Sequence, residues 1–215
     1  IELLVVIAIV ALLVSIVIPA LRLAKEAGQR VVCTANLQGL VKAWMLYAED
    51  NDAKVVDSVA VNSNDGAAWV NYATGIEPEE EQLDAIRGGQ LFPYCQDVDL
   101  YKCPTAKPNQ KRSYAISAQW SNVFEQNGEF KFGQSAKQNL HKITEVKNSG
   151  GKFVFVDNIA MNADGFWAVW YDRPEWWNIP NWRHNDGTTN AYADGHAEAT
   201  RWKNKQLTVE AAIAS

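Results

Sequence analysis

The first 20 residues form an almost unbroken apolar run, IELLVVIAIVALLVSIVIPA. Between positions 3 and 18 the one polar side chain is that of Ser15, and the one charge in the run is that of Glu2. At about 1.5 Å per residue, a helix of this length reaches across most of the roughly 30 Å hydrocarbon layer of a membrane. The pattern predicts a membrane-spanning or filament-core helix over residues 1–20.

Glu2 is the feature that an ordinary membrane anchor does not explain. Removing an unpaired carboxylate from water costs several kcal/mol, so we expect Glu2 to lie among lipid headgroups or to pair with a cation from another chain. A simple anchor stays open, because it fits the hydropathy equally well. A cleavable secretory signal, which would carry a basic segment before the run, and the core helix of a globular protein are weaker alternatives.

Pro19 interrupts the predicted helix chemically. It lacks the amide donor that would bond the carbonyl of Ser15, and its ring clashes with that carbonyl. The sequence therefore predicts either a kink in a continuous helix or local melting between Ser15 and Pro19.

Beyond Pro19 the helix becomes amphipathic and is expected to end near positions 48–51, where EDND replaces the periodic pattern. Arg22, Lys25 and Arg30 follow the apolar run and would hold the helix at a negatively charged cytoplasmic surface. Apolar residues recur every three or four positions in residues 21–50, which predicts one face buried against a folded head. This head-packing stripe comprises Cys33, Leu37, Leu40, Val41, Trp44, Met45 and Ala48.

Residues 51–215 have the size of one globular domain, with no linker or repeat dividing them. Acids after Pro78 and the pair Gly88-Gly89 predict a helix over residues 77–87. The turn dipeptides Asp186-Gly187 and Asp194-Gly195 predict a three-stranded antiparallel meander at the C-terminal end, with Trp182, Tyr192 and Trp202 in its strands. Strands are predicted over residues 113–120, 152–157, 165–170, 189–193 and 196–202.

The composition is that of a globular head with a substantial core, at 47% hydrophobic residues and a net charge of −5. That charge argues against a surface that attracts nucleic acid as a whole. Exposed Trp176 and Trp177, within the tryptophan-rich residues 167–182, are candidates for an interface with another subunit, a sugar or a surface. Closure of the core edge is the alternative role for both.

Histidines and carboxylates near the predicted C-terminal strands raise the question of a metal site. His184, His196, Asp157 and Asp194 have the chemistry to ligate zinc, and calcium is compatible with Asp157, Asn158 and Asp194. The simpler interpretation makes Asp194 a turn residue and His184 a hydrogen-bonding partner that pins the meander. No nucleophile elbow, HExxH motif or phosphate-binding glycine loop is present, so we expect no enzymatic activity and no required cofactor.

The three cysteines allow one intramolecular disulfide if the head lies outside the cell. Cys95 with Cys103 is the preferred pair, because it closes only a small loop. Cys33 with Cys103 is the competing pair and would staple the long helix to the head.

The N-terminal residues IELLVVIA, followed by Pro19, resemble the prepilin-type motif of type IV pilins and pseudopilins. The chain begins inside that motif, so we expect the first mature residues to precede Ile1. The resemblance implies that Glu2 pairs with the N-terminal amine of a neighbouring subunit in a filament whose core is a bundle of these helices. Such a pairing is strong where the core excludes water.

Three further segments resemble one group of prepilin-like proteins. His184, Asp194 and Gly195 match its histidine-x9-aspartate-glycine motif, residues 33–40 (CTANLQGL) match its Cys-x-x-Asn-Leu-x-x-Leu segment, and residues 100–104 (LYKCP) match its Cys-Pro motif. The location of Cys33 and Cys103 in these segments supports the competing disulfide. The implied fold is α+β and type IV pilin-like, with a long N-terminal helix packed on an antiparallel sheet.

The function expected from this resemblance is that of a structural subunit of an extracellular type IV pilus-like filament. The monomer would reside in the inner membrane, be processed by a prepilin peptidase, and then be added to a helical homopolymer by the pilus assembly machinery. One alternative is a pseudopilin of a type II secretion-type system. Another is a membrane-anchored binding protein or enzyme.

Overall fold

The computed structural model describes residues 2–60, 68–120, 140–158, 165–167, 181–184 and 187–201. Within these residues, a long helix, α1 (Glu2–Asp50), is followed by two short helices, α2 (Glu79–Arg87) and α3 (Phe92–Cys95), and by five strands. The chain is therefore an α+β protein with a long N-terminal helix, as predicted. The strands are β1 (Tyr114–Ser117), β2 (Phe153–Asp157), β3 (Phe166–Trp167), β4 (Gly187–Tyr192) and β5 (Ala197–Arg201). Single 3-10 turns occur at Val98–Tyr101, Ile143–Glu145 and Ser149–Gly151.

The five strands form one sheet in the order β3-β1-β2-β4-β5. β1 and β2, β2 and β4, and β4 and β5 pair antiparallel, but β1 and β3 pair in parallel, with Ile116 opposite Phe166. The sheet is mixed, so the prediction of a purely antiparallel sheet was wrong. β3 pairs with the edge of β1 that lies opposite β2. Because β2 is antiparallel to β1, β3 runs opposite to β2 and in the same direction as β1.

The C-terminal hairpin forms where the turn dipeptide predicts it. Gly195 has φ +91°, a conformation that glycine adopts without strain, and its amide donates to the carbonyl of Tyr192 at 2.9 Å. The predicted third strand of the meander is absent from residues 181–184, which form a turn. β4 instead takes β2 as its second neighbour, with Val156 opposite Asn190.

The core lies between the second half of α1 and the sheet. Every residue of the head-packing stripe is completely buried except Met45, which is half-buried against the same core. Trp44 is the largest side chain of the stripe, and its ring meets that of Trp120 edge-on, with centroids 5.0 Å apart. The helical periodicity of residues 33–48 therefore corresponds to the face on which the head is built.

Among the described residues, the first half of α1 has no such partner. From Leu3 to Leu23 the large apolar side chains are exposed, Leu3 by 75% and Ile16 by 64%. The helix runs without a break through Pro19. Among the described residues, α1 is the helix that is long and apolar enough to cross a membrane.

Candidate functional site

Cys33 is the first buried residue of α1, and the helix brings a loop of the head against it. One turn further on, the side-chain amide of Asn36 donates to the carbonyls of Asp99 and Lys102, at 3.1 and 3.0 Å. Gly39 allows Leu100 to pack closely, since a Cβ at this position would lie 3.2 Å from the Leu100 side chain. Both contacts fix the loop that precedes Cys103.

Cys103 follows the 3-10 turn Val98–Tyr101 and is completely buried. Its backbone amide donates to Ser113 Oγ at 2.7 Å, which orients the side chain. Its Sγ lies 3.1 Å from His184 Nε2 and 3.1 Å from Thr105 Oγ1. The thiol is therefore surrounded by polar groups within the core.

Asp157 ends β2 and is completely buried. Asn181 Nδ2 donates to its Oδ2 at 2.9 Å, and the Arg183 guanidinium lies 3.5 Å from its Oδ1. The backbone amide of Asn181 also donates to the carbonyl of Asp157, at 3.0 Å. These bonds dock the turn of residues 181–184 on the end of β2, which places His184 inside the head.

Cys33, Cys103, Asp157 and His184 form one buried cluster, and their four donor atoms lie within 4.8 Å of one another. Cys33 Sγ is 4.0 Å from Asp157 Oδ2, and it accepts a hydrogen bond from the Tyr114 hydroxyl at 3.2 Å. The members are far apart in sequence: 124 residues separate Cys33 from Asp157, and 81 separate Cys103 from His184. Only the fold brings them together.

Burial governs the electrostatics of this cluster. It raises the pKa of the Cys33 thiol, and neighbouring Cys103 and Asp157 raise it further. It also raises the pKa of Asp157, with Cys103 adding to the effect and Arg183 and Asn181 opposing it. Hydrogen bonds from Cys33, His184 and Thr105 hold the pKa of Cys103 well below its usual range. Three acids thus share one small volume, where full ionisation requires additional positive charge.

The calcium ligands suggested by the sequence are not brought together. Asp157 and Asn158 adjoin at the end of β2, but Asp194 lies beyond its other end, where the amide of Ala193 bonds the carbonyl of Lys152. Five residues of strand between Lys152 and Asp157 span about 16 Å. Asp194 is instead a turn residue that accepts from the amide of His196 at 3.1 Å. The histidine-x9-aspartate-glycine motif is therefore divided between the buried cluster and the hairpin turn.

His196 is likewise outside the cluster. Its ring stacks on Tyr192, with centroids 4.2 Å apart. Two predicted elements fall outside what the structure describes: the side chain of Glu2, whose backbone begins α1, and the residues Trp176 and Trp177.

All three cysteines are free thiols in this structure, so the preferred disulfide between Cys95 and Cys103 is not formed. Cys95 Sγ lies 3.4 Å from the carbonyl of Leu91 and 3.5 Å from the Tyr101 hydroxyl. Cys103 Sγ instead contacts His184 Nε2, at 3.1 Å.

The sequence analysis considered His184 and Asp157 together as zinc ligands, but with His196 and Asp194 as the other two. It assigned the cysteines to alternative disulfides, and it favoured a hydrogen-bonding role for His184. The available signal was the pair of Cys-containing motifs together with the motif histidine, since Cys and His are the residue types that bind zinc. Their separations exceed the short ligand spacings that identify a zinc site in sequence.

Within the part of the chain that the structure describes, all four members of the cluster are buried. Cys103 beside His184 has the composition of an activated nucleophile, but the thiol is completely buried. A cleft of about 100 Å³ reaches His184 and is lined by Arg30, Ala199, Thr200 and Arg201. This is well below the roughly 300 Å³ at which small-molecule pockets begin. The arrangement suits ligation of an ion better than conversion of a substrate.

The chain matches no protein-family model, no curated protein and no solved structure.

Proposed function

We propose that this chain is the structural subunit of a type IV pilus-like filament that polymerises through the first half of α1. The observation that carries the proposal is the division of one continuous helix into an exposed apolar half and a half buried in the head. The exposed half needs an apolar environment. In the monomer a membrane would supply it, and in the filament the same helices of neighbouring subunits would.

The exposed apolar surface extends beyond a membrane span. Residues 3–20 cover about 27 Å of helix, which is close to the thickness of the hydrocarbon layer. Leu21, Leu23, Val31 and Val32 follow that segment and are still exposed by 66, 67, 66 and 48%. A simple tether offers no reason for apolar side chains at these positions. Packing against neighbouring subunits would bury them.

The rigid connection between helix and head also favours a filament. α1 continues from the apolar half into the core without a break, and the stripe holds it against the sheet. The direction of the apolar half is therefore fixed relative to the head. A tether works equally well through a loose connection, whereas a helical polymer requires every head to stand at the same angle to the filament axis.

In this proposal, Glu2 determines the register in which the helices of neighbouring subunits pack. In an apolar bundle its carboxylate requires a cation, and an N-terminal amine of a neighbouring subunit would provide one. The pairing would favour one register among helices whose remaining surface is uniformly apolar. Such a surface sets no register by itself.

The test is electron microscopy of sheared cell-surface material, with immunolabelling of this chain, from cells producing the normal protein, Glu2→Ala or Glu49→Ala. Glu49 is an exposed acid in the last turn of the same helix and serves as the matched control. We expect long labelled fibres with the normal protein and Glu49→Ala, and none with Glu2→Ala.

Two other results would contradict the proposal at different points. Absence of labelled fibres from all three samples would favour a pseudopilin or a tethered protein. Fibres that persist in Glu2→Ala would show that polymerisation does not depend on this carboxylate.

A further inference from the structure

We propose that Cys33, Cys103, Asp157 and His184 bind a structural zinc ion that fastens α1 to the head. The inference rests on the geometry of the buried cluster and is independent of the filament proposal. Two thiolates, an imidazole and a carboxylate are all established zinc ligands, and four protein ligands close a tetrahedral site without an open position. Such a site stabilises structure and activates no water.

The distances fit this coordination with small adjustments. Zinc bonds of 2.0–2.3 Å to N, O and S place tetrahedral donor atoms about 3.3–3.8 Å apart. In the cluster, Cys103 Sγ and His184 Nε2 are 3.1 Å apart, Cys33 Sγ and Asp157 Oδ2 are 4.0 Å apart, and no pair exceeds 4.8 Å. Side-chain shifts of about 1 Å or less complete the tetrahedron.

The charge of the site also fits a divalent cation. With the metal bound, two thiolates and one carboxylate would bring three negative charges into a buried volume, where a charge must be paired. A zinc ion leaves a single negative charge, which the Arg183 guanidinium, 3.5 Å from Asp157 Oδ1, then balances. Thiolate ligands favour zinc over calcium or magnesium, which prefer oxygen.

Groups around the ligands are arranged as supporting partners. The Tyr114 hydroxyl donates to Cys33 Sγ at 3.2 Å, and Asn181 Nδ2 donates to Asp157 Oδ2 at 2.9 Å. Such bonds orient metal ligands and tune their affinity. His184 also lines a small cleft, so one ligand of the cluster lies next to the protein surface.

A disulfide between Cys33 and Cys103 is the competing use of the two thiols. It would link α1 to the head but would leave Asp157 and His184, both buried, beside a neutral bridge that needs neither. The presence of a carboxylate and an imidazole at the thiols favours a metal. The two uses exclude each other, so an experiment can separate them.

Zinc at this position would act where the helix leaves the head. Cys33 is the first buried residue of α1, and residues 3–32 before it are exposed or half-buried. The other three ligands come from the loop after residues 98–101, from the end of β2 and from the turn before β4. The ion would therefore join four distant segments, and metal binding would contribute directly to the stability of the folded head.

The first experiment uses the full chain in detergent, reduced and freed of metal under argon. Zinc would be added and unbound metal removed, and the bound ion would be counted by mass spectrometry of the metal. Co²⁺ would replace zinc as a spectroscopic probe. We expect one ion per chain, the visible absorption of tetrahedral Co²⁺, a thiolate-to-cobalt charge-transfer band, and a higher thermal midpoint with zinc. This arm uses the normal protein, so it does not depend on variants that fail to fold.

The variants Cys103→Ala and His184→Ala each remove one ligand, with Cys95→Ala and His196→Ala as matched controls. The controls alter residues of the same types outside the cluster. We expect zinc affinity to fall by more than about 100-fold in the ligand variants, beyond the range seen for supporting partners, and to be unchanged in the controls. The supporting variant Tyr114→Phe should lose about 10-fold.

Three results would overturn the proposal. The first is failure of the reduced, normal protein to retain zinc. The second is octahedral Co²⁺ without thiolate charge transfer. The third is a protein isolated under air that contains a Cys33–Cys103 disulfide and takes up no zinc after reduction.

Discussion

The two halves of α1 are continuous in backbone and opposite in environment. Residues 3–32 keep nearly all their large side chains in solvent, whereas Cys33, Leu37, Leu40 and Trp44 are completely buried. Residues 3–20 are apolar all round, residues 21–32 carry charges as well, and residues 33–48 are apolar on one face.

The two halves of the helix therefore differ in what can cover their apolar side chains. The one-sided half is complete within the monomer, because its single apolar face fits a single sheet. The described part of the head leaves the all-round half exposed, and in the proposed filament lipid or other copies of the helix would cover it. Changes in the first half should therefore affect membrane insertion and assembly, and changes in the second half should affect folding.

The largest effect is expected for Trp44→Ala in the buried half. Loss of a buried indole that packs on Trp120 should lower the free energy of unfolding of the head by about 3–5 kcal/mol. Leu46→Ala, at a side chain 47% exposed on the same helix, should change it by about 0.5 kcal/mol or less. Urea denaturation followed by near-ultraviolet circular dichroism measures both. Equal losses of stability in Trp44→Ala and Leu46→Ala would contradict the distinction between the buried and the exposed face of this helix.

The converse change is Leu12→Asp in the exposed half, where Leu12 is 63% exposed. Exchanging leucine for aspartate at the centre of a membrane helix costs about 3–4 kcal/mol of insertion free energy. We expect a large fall in the carbonate-resistant membrane fraction, no change in head unfolding, and normal behaviour of Leu12→Ile. A destabilised head in Leu12→Asp would mean that the two halves are energetically coupled.

Pro19→Ala tests the predicted weak point within the exposed half. The change restores an amide donor for the Ser15 carbonyl and should raise the local opening free energy of the helix by about 3 kcal/mol. Hydrogen exchange in detergent should slow in peptides around residues 15–19 and remain unchanged in the head. Ala20→Leu, which adds no donor, is the control. Unchanged exchange around Ser15 would contradict a proline-weakened segment.

The smallest effect concerns an exposed loop of the head, where polar bonds replace packing. The Glu77 carboxylate accepts from the amides of Thr74 and Gly75, at 2.9 and 2.8 Å. Hydrogen bonding from Thr74 and Gly75 lowers the pKa of Glu77 from 4.5 to about 2. The folded pKa lies below the unfolded one, so this stabilisation is present above pH 4.5 and is lost as the pH falls toward 2.

Glu77→Gln should therefore cost about 1 kcal/mol or less at neutral pH and flatten the acid limb of the stability curve. Urea denaturation between neutral and acidic pH measures this dependence. Glu81→Gln, an exposed acid in the next helix, serves as the control. If the free energy of unfolding of Glu77→Gln depended on pH as it does in Glu81→Gln and in the normal protein, the hydrogen bonds of Glu77 would contribute nothing to stability.

Local patterns in the sequence predicted the elements that depend on near neighbours. The apolar run and the stripe predicted α1 within a residue or two of its observed end, and Asp194-Gly195 predicted the β4–β5 turn. The third strand of the meander, predicted before the turn dipeptide Asp186-Gly187, was wrong for residues 181–184, which are not a strand. That segment instead bonds the end of β2 through Asn181, a contact between residues 24 positions apart.

By itself, the sequence determined the long helix, its division into all-round and one-sided apolar halves, and the C-terminal hairpin. Hydrophobic periodicity and turn chemistry act over a few residues and can be read directly. Tertiary structure decided the parallel pairing of β1 with β3, the separation of Asp194 from Asp157, and the convergence of Cys33, Cys103, Asp157 and His184. These depend on which distant surfaces pack together, and no local period encodes a contact between residues 124 positions apart.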